Sequence, residues 1–154
     1  MKIYLVQHGE AVVKEVDPER PLTEQGMADV QHIAGVLRHA GVEVKRIIHS
    51  GKLRAQQTAE ILAIEIAPGL QLETSDLIKP NDDPGTFESQ IGSWNTDTMV
   101  VGHLPFMAKL VSHLVTGDNS HALVAYQPGS VACLELTGKD NWQINWMLRP
   151  ELLD

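Results

Sequence analysis

The sequence is poor in cysteine and in long hydrophobic runs, and each shortage excludes a class of protein. Its single cysteine, Cys133, lies in an alternating apolar stretch typical of a buried strand, so no disulfide framework or cysteine metal site is expected. No apolar run approaches the roughly 20 residues that span a membrane. The N-terminus lacks the features of a signal peptide, and we therefore expect a cytoplasmic chain without a membrane partner.

Basic residues are also scarce. Twelve Lys and Arg stand against 20 Asp and Glu, which gives a net charge of -8. Because binding to a nucleic-acid backbone requires a basic surface, nucleic acid is not expected as a partner. Any site for an anion must then be local.

The length and the composition predict one domain. The chain has 154 residues, of which 43% are apolar, enough for one domain with a substantial core. No linker rich in proline, glycine or serine divides it, so we expect a single domain over residues 1–154.

A short apolar run that stops at a polar, glycine-containing turn occurs three times in the sequence. The three turns contain His8, the segment 50–54 and His103. Such runs are typical of strands buried on both faces of a sheet. Because the carboxyl ends of parallel strands meet at one edge, we expect these turns to line a common crevice.

The remaining periodicities predict an α/β fold. Apolar residues at helical spacing alternate with the strands, and in the second helix we expect Leu53, Ile61 and Ile64 to point inward. We predict a three-layer α/β/α sandwich with a mostly parallel sheet and an antiparallel edge strand. The predicted helices cover residues 23–40, 52–67, 84–94 and 105–116, residues 68–84 form a loop, and residues 130–136 and 142–148 form a hairpin.

Two histidines and one or two arginines converge in the predicted crevice. Metal binding usually requires a carboxylate or a third His or Cys, and an arginine repels a dication, so neither a metal nor a cofactor is expected. A guanidinium grips a phosphoryl group through paired N–H donors. A neutral imidazole can attack phosphorus and form a phosphohistidine that water then opens.

The ordered motifs resemble those of the histidine phosphatase (phosphoglycerate-mutase-like) superfamily. The segments 7–10 (QHGE), 50–58 (SGKLRAQQT) and 102–105 (GHLP) carry the resemblance, which covers nearly the whole chain. The short length and the segment 20–23 (RPLT) make the chain similar to the SixA-type phosphohistidine phosphatases. The resemblance implies that His8 is the nucleophile, Arg54 and Arg20 bind phosphate, and His103 donates to phosphate oxygens.

One position departs from the family. The signature begins with Arg-His-Gly, but here Gln7 precedes His8 and Gly9. Gly9 is expected to let the backbone pass close to the ligand of His8. Glutamine offers neutral donors in place of a charged fork, and losing one preorganised donor typically costs about 10² to 10³ in rate. Either another cation such as Arg20 or Lys52 compensates, or the enzyme is slow, or the chain binds phosphate without turnover; alternatively, Gln7 is merely structural.

No residue stands out as the acid for the leaving group. Glu10, Asp82 and Asp83 are the nearest carboxylates, and each is more typical of a solvated loop charge. Phosphohistidine expels an imidazole, which requires little proton donation, whereas a phosphomonoester must expel an alkoxide. The lack of an obvious acid therefore favours phosphohistidine. Three further histidines, His49, His113 and His121, remain without an assigned role, and a structural role is favoured for His49.

The sequence thus predicts a metal-independent phosphatase that hydrolyses protein phosphohistidine through a phosphohistidine intermediate on the enzyme. The expected partner is a phosphorylated histidine-containing protein, such as a phosphotransfer domain. Two alternatives stay open: a phosphatase of a small phosphomonoester, and a catalytically weakened module that binds phosphate or phosphohistidine because of Gln7. The expected catalytic residues are His8, Arg54 and His103, and the expected substrate-binding residues are Gln7, Gly9 and Arg20.

Overall fold

The computed structural model describes residues 1–153 and contains one six-stranded sheet with helices on both faces, which confirms the predicted fold class. The predicted order of strands and helices is confirmed except for one short additional strand between the second and third helices. The elements are β1 (Lys2–Gln7), α1 (Glu24–His39), β2 (Arg46–His49), α2 (Leu53–Ile66), β3 (Glu73–Thr74), α3 (Pro84–Ile91), β4 (Thr98–Gly102), α4 (Phe106–Thr116), β5 (Val131–Leu136) and β6 (Trp142–Leu148), followed by a 3-10 turn at Pro150–Leu152.

The strand order across the sheet is β3-β2-β4-β1-β5-β6. Strands β3, β2, β4 and β1 pair in parallel, whereas β5 pairs antiparallel with both β1 and β6. In the pairing of β1 with β4, Gln7 is opposite Gly102. The residues that follow, His8 and His103, therefore leave the sheet side by side.

Two apolar cores lie on the two faces of the sheet because side chains alternate along each strand. Tyr4 and Val6 of β1 pack with the residues of α1 and α2. Ile3 and Leu5 pack on the opposite face with those of α3 and α4. The strand is thus buried on both faces, as its continuous apolar run predicts.

Local capping fixes where the helices begin and end. Thr23, the N-cap of α1, accepts a hydrogen bond from the Gly26 N–H at 2.9 Å. Helix α4 ends at Gly117, whose φ of 80° is the left-handed conformation that glycine adopts readily. Across residues 1–153, no helix is both long enough and apolar enough to cross a membrane.

Two details of the sequence prediction were wrong. Residues 68–84 contain the two-residue strand β3, which is joined to β2 by the fork between Arg46 and Glu73 at 2.9 and 3.0 Å. Ile64 was expected to face inward but is 71% exposed. The buried face of α2 is formed by Ala55, Ala59 and Leu62, with Ala63 and Ile66, and Ile64 lies outside this stripe.

Candidate active site

The backbone of His8 is held on both sides at the carboxyl end of β1. Its N–H donates to the carbonyl of Gly102, the last residue of the adjacent strand β4, at 3.0 Å. The Gly129 N–H, in the loop before β5, donates to the carbonyls of both Gln7 and His8 at 3.1 Å. The sheet and this loop therefore fix the position from which the imidazole projects.

The ring of His8 has a defined tautomer. Its Nδ1 lies 2.7 Å from the Gly9 carbonyl oxygen, and because a carbonyl can only accept, Nδ1 carries the proton. Burial lowers the pKa of His8 to about 4; the bond to Gly9 opposes this shift, and Arg54 and Arg20 add to it. Near pH 7 the ring is therefore neutral, with a lone pair on Nε2.

The second histidine, His103, lies beside the first. The two ring centroids are 5.0 Å apart, with the planes tilted by 54°. The Nε2 of His103 lies 2.6 Å from the Ser50 hydroxyl oxygen. Burial, followed by the proximity of His8 and the nearby cations, lowers the pKa of His103 to about 3, so this ring is also neutral.

Two arginines, Arg54 and Arg20, lie close enough to both histidines to lower their pKa. Arg54 lies in the first turn of α2, and its pKa is lowered by burial and by the proximity of Arg20. Arg20 lies on the loop before α1 with a φ of 50°, and its Nε donates to the Val12 carbonyl at 3.1 Å. Within residues 1–153, neither guanidinium forms a salt bridge. The two positive charges therefore lie close together without a neutralising carboxylate, which favours a dianion.

The site contains most of the buried polar side-chain atoms that lack a hydrogen-bond partner among the described residues. These atoms are Gln7 Oε1, Arg54 Nε and His103 Nδ1, with Arg149 Nε elsewhere. Buried polar groups are normally paired, so their concentration at one place indicates a binding site for a polar ligand.

Gly9 is required by the packing of α1. A Cβ at this position would lie 2.8 Å from Val30 Cγ2 and 3.1 Å from the Gly26 carbonyl oxygen. The Gly9 N–H already donates to Thr58 Oγ1 at 3.0 Å. In this structure Gly9 therefore contributes space for the helix, and its N–H is occupied by Thr58.

The three candidate acids all have local structural contacts. Glu10 is exposed and accepts from the Thr23 hydroxyl at 3.1 Å. Asp82 accepts from the Lys79 N–H at 2.8 Å, and Asp83 caps α3 through the Gly85 N–H at 3.0 Å.

The other candidate histidines differ in their surroundings. His49 is buried, and its Nδ1 accepts from the Gly51 N–H at 3.0 Å, which gives it a structural contact in the turn. His113 pairs with Glu88 at 2.7 Å, which links α4 to α3. His121 is exposed. Among residues 1–153, no three His, Cys, Asp or Glu side chains are grouped so that they could hold a metal ion.

Three residues for which the sequence analysis predicts no individual role contact the residues of the candidate site. Thr58 joins two segments, since its hydroxyl accepts from Gly9 and donates to the Arg54 carbonyl at 2.8 Å. Ser50 contacts His103, and Gly129 binds the backbone of His8. The Pro128-Gly129 pair is a turn signal, but the sequence does not show which strand end that turn reaches.

The family model described as "Histidine phosphatase superfamily (branch 1)" matches residues 3–79, half of the chain. An uncharacterized protein of Picosynechococcus sp. is 30% identical over 139 residues, which cover 85% of this chain and 83% of that protein. The chain belongs to the histidine phosphatase superfamily.

Within the superfamily, the chain is similar to SixA proteins. Phosphohistidine phosphatase SixA of Escherichia coli (strain K12) is 27% identical over 159 residues, which cover 97% of this chain and 94% of SixA. The solved structure of the protein histidine phosphatase SixA complexed with tungstate has a TM-score of 0.90 and 24% identity, with both chains fully covered. Membership of the histidine phosphatase superfamily makes the chain a phosphatase, as the sequence predicts.

Proposed function

We propose that this phosphatase hydrolyses phosphohistidine on a partner protein, without a metal ion, through a phosphoryl group carried on Nε2 of His8. The observation that carries this proposal is the Nδ1 contact of His8 with the Gly9 carbonyl at 2.7 Å. With the proton on Nδ1, Nε2 has a free lone pair, and the lowered pKa keeps the ring neutral; both support His8 as the nucleophile.

The first step exchanges one phosphorus–nitrogen bond for another. His8 Nε2 attacks phosphorus, and the bond from phosphorus to the substrate imidazole breaks. A substrate ring protonated on its other nitrogen leaves as neutral imidazole, while the His8 ring becomes a phosphorylated imidazolium that retains Nδ1–H. The Gly9 carbonyl accepts from this N–H throughout, and it stabilises the positive ring.

The second step releases phosphate. Water attacks phosphorus, the bond to Nε2 breaks, and dihydrogen phosphate leaves with both protons of the water. His8 returns to its neutral form with the proton still on Nδ1. Neither step requires an external acid, which agrees with the local structural contacts of Glu10, Asp82 and Asp83.

The surrounding side chains stabilise the phosphoryl charge. Arg54 has an unpaired buried Nε, and Arg20 is close enough to lower the pKa of Arg54. Two guanidinium charges match a phosphoryl dianion, and the unpaired Nδ1 of His103 adds a further polar contact. Gln7 contributes a neutral amide where the family has an arginine, so it is a weaker clamp.

A protein substrate is supported by the surface next to the site residues. Val13 and Val16, on the loop that leads to Arg20, are 55% and 77% exposed. Leu104, which follows His103, is 36% exposed. Exposed apolar side chains near a phosphate site suit a folded partner better than a small polar phosphoester.

A second candidate function rests on Gln7. Its Oε1 is buried without a partner, and its side chain brings no positive charge to the site. If this loss stops the chemistry, the chain binds phosphoryl groups without turning them over. Removal of His8 would then leave the affinity for phosphate almost unchanged.

The test is hydrolysis of a phosphohistidine-bearing phosphotransfer protein in EDTA, compared with hydrolysis of a panel of small phosphomonoesters. We expect turnover of the protein substrate, a loss of at least about 10³-fold in His8→Ala, and native activity in His121→Ala, which changes an exposed histidine. Faster turnover of the phosphomonoesters would contradict the substrate class. Phosphate binding without any turnover would support the binding module instead.

A further inference from the structure

The shortest side-chain contact of His103 is with the turn after β2. The Ser50 hydroxyl oxygen lies 2.6 Å from His103 Nε2. The same oxygen is 3.3 Å from the Lys52 N–H, which can only donate. Ser50 is half-buried, so the contact lies partly shielded from water between the ends of β2 and β4.

The donors and acceptors around Ser50 favour one direction for this bond, in which the hydroxyl donates to His103 Nε2. The Ser50 oxygen accepts from Lys52, and its own proton needs an acceptor. Among the side-chain contacts within residues 1–153, the acceptor available to this hydroxyl is His103 Nε2. A neutral imidazole carries one proton, so a proton-free Nε2 places it on Nδ1.

The other nitrogen of His103 is free for a ligand. His103 Nδ1 is buried and has no partner among the described residues. Phosphoryl oxygens only accept hydrogen bonds, so a protonated Nδ1 attracts them and a bare Nδ1 repels them. The tautomer of His103 therefore decides whether this ring helps or hinders the binding of phosphate.

We infer that Ser50 is a positioning residue that holds His103 in the Nδ1–H tautomer and so makes His103 a donor to the phosphoryl group. The inference rests on the proposed function for its catalytic consequence. Its structural part, the tautomer of His103, can be measured in the protein without substrate.

The decisive experiment is nitrogen NMR of the 15N-labelled chain near neutral pH. We expect His103 Nδ1 to resonate as a protonated nitrogen and Nε2 as a bare one. In Ser50→Ala the two signals should move toward the average of the two tautomers, and Ser50→Thr, which keeps the hydroxyl, should restore the native pattern. A native His103 with its proton on Nε2 would overturn the inference whatever the variants show.

Ligand binding and turnover test the consequence. Ser50→Ala should weaken the binding of inorganic phosphate about tenfold and lower kcat with the phosphohistidine protein by a similar factor, and Ser50→Thr should recover most of both. If the native chain does not turn over phosphohistidine but the tautomer and phosphate results hold, the proposed function fails and the role of Ser50 stands. Unchanged phosphate affinity in Ser50→Ala would contradict that role.

Discussion

The Gly9 N–H donates to the Oγ1 of Thr58 at 3.0 Å, and this bond ties the turn after β1 to helix α2. The Thr58 hydroxyl in turn donates to the Arg54 carbonyl at 2.8 Å. One buried side chain thus links the residue after His8, the proposed nucleophile, to Arg54, the proposed phosphate-binding residue. The relative position of His8 and Arg54 depends on this link.

Thr58→Val should lower the stability of the folded protein. Valine has the shape of threonine but no hydroxyl, so the buried Gly9 N–H loses its acceptor. We expect the free energy of unfolding to fall by about 1–3 kcal/mol in urea denaturation. Thr58→Ser, which keeps the oxygen, should lose less, and a loss as large as that of Thr58→Val would show that the methyl group matters as much as the hydroxyl.

The contact of α1 with the loop after β1 provides a matched pair of glycine substitutions. A Cβ at Gly26 would lie 2.1 Å from the Glu10 carbonyl oxygen, whereas nothing lies within 4 Å of one at Gly35 on the same helix. We expect Gly26→Ala to destabilise the protein by about 2–3 kcal/mol through overpacking. Gly35→Ala should stabilise it by up to about 1 kcal/mol, because alanine favours the helix.

The buried histidines predict a dependence of stability on pH. The pKa of His8 is lowered from 6.5 to about 4 and that of His103 to about 3. Between these values and 6.5 the unfolded chain binds more protons, so stability is complete above pH 6.5 and falls as the pH drops toward 4. Each histidine should contribute a slope of up to about 1.4 kcal/mol per pH unit.

Urea unfolding at several pH values checks this slope. His8→Gln removes one titrating group, so the difference between the native chain and the variant should grow as the pH rises from 4 toward 6.5. A difference that does not change with pH would show that His8 has an ordinary pKa in the folded protein.

Gln7→Arg tests whether the missing family arginine limits the rate. A charged fork binds a phosphoryl group more strongly than a neutral amide, so we expect kcat/KM for the phosphohistidine protein to rise about 10- to 100-fold. Gln7→Met, of similar length but without donors, should lower it. A lower kcat/KM in Gln7→Arg would mean that Arg20 and Arg54 already supply enough positive charge and that a third arginine disturbs the site.

The proximity of His8 and His103 could be predicted from the sequence because their motifs follow buried strands. The parallel register of β1 and β4 brings His8 next to His103, and neither strand requires a long-range contact to be recognised. Strand β3 was missed because Glu73 and Thr74 are exposed and show no apolar pattern. Its residues pair with Ile48 and His49 of β2, and Glu73 forms an ion pair with Arg46, contacts that the local sequence cannot show.

The supporting contacts could not be predicted for the same reason. The bond from Gly129 to His8 joins residues at opposite ends of the chain, and the Ser50 contact with His103 joins two separate turns. The prediction for Gly9 was also incomplete, because residues of α1 occupy the space in which a side chain at position 9 would lie. Such contacts follow from the way the elements pack, not from the residues that flank them.

The most direct test of the proposed mechanism is to look for the phosphoryl group on His8. The native chain is mixed with the phosphohistidine protein, quenched in alkali within its first turnovers, digested and examined by mass spectrometry. We expect the peptide that contains His8 to carry one phosphoryl group, and the corresponding peptide of His8→Ala to carry none. Turnover without phosphorylation of His8, or phosphorylation on His103 instead, would contradict the mechanism.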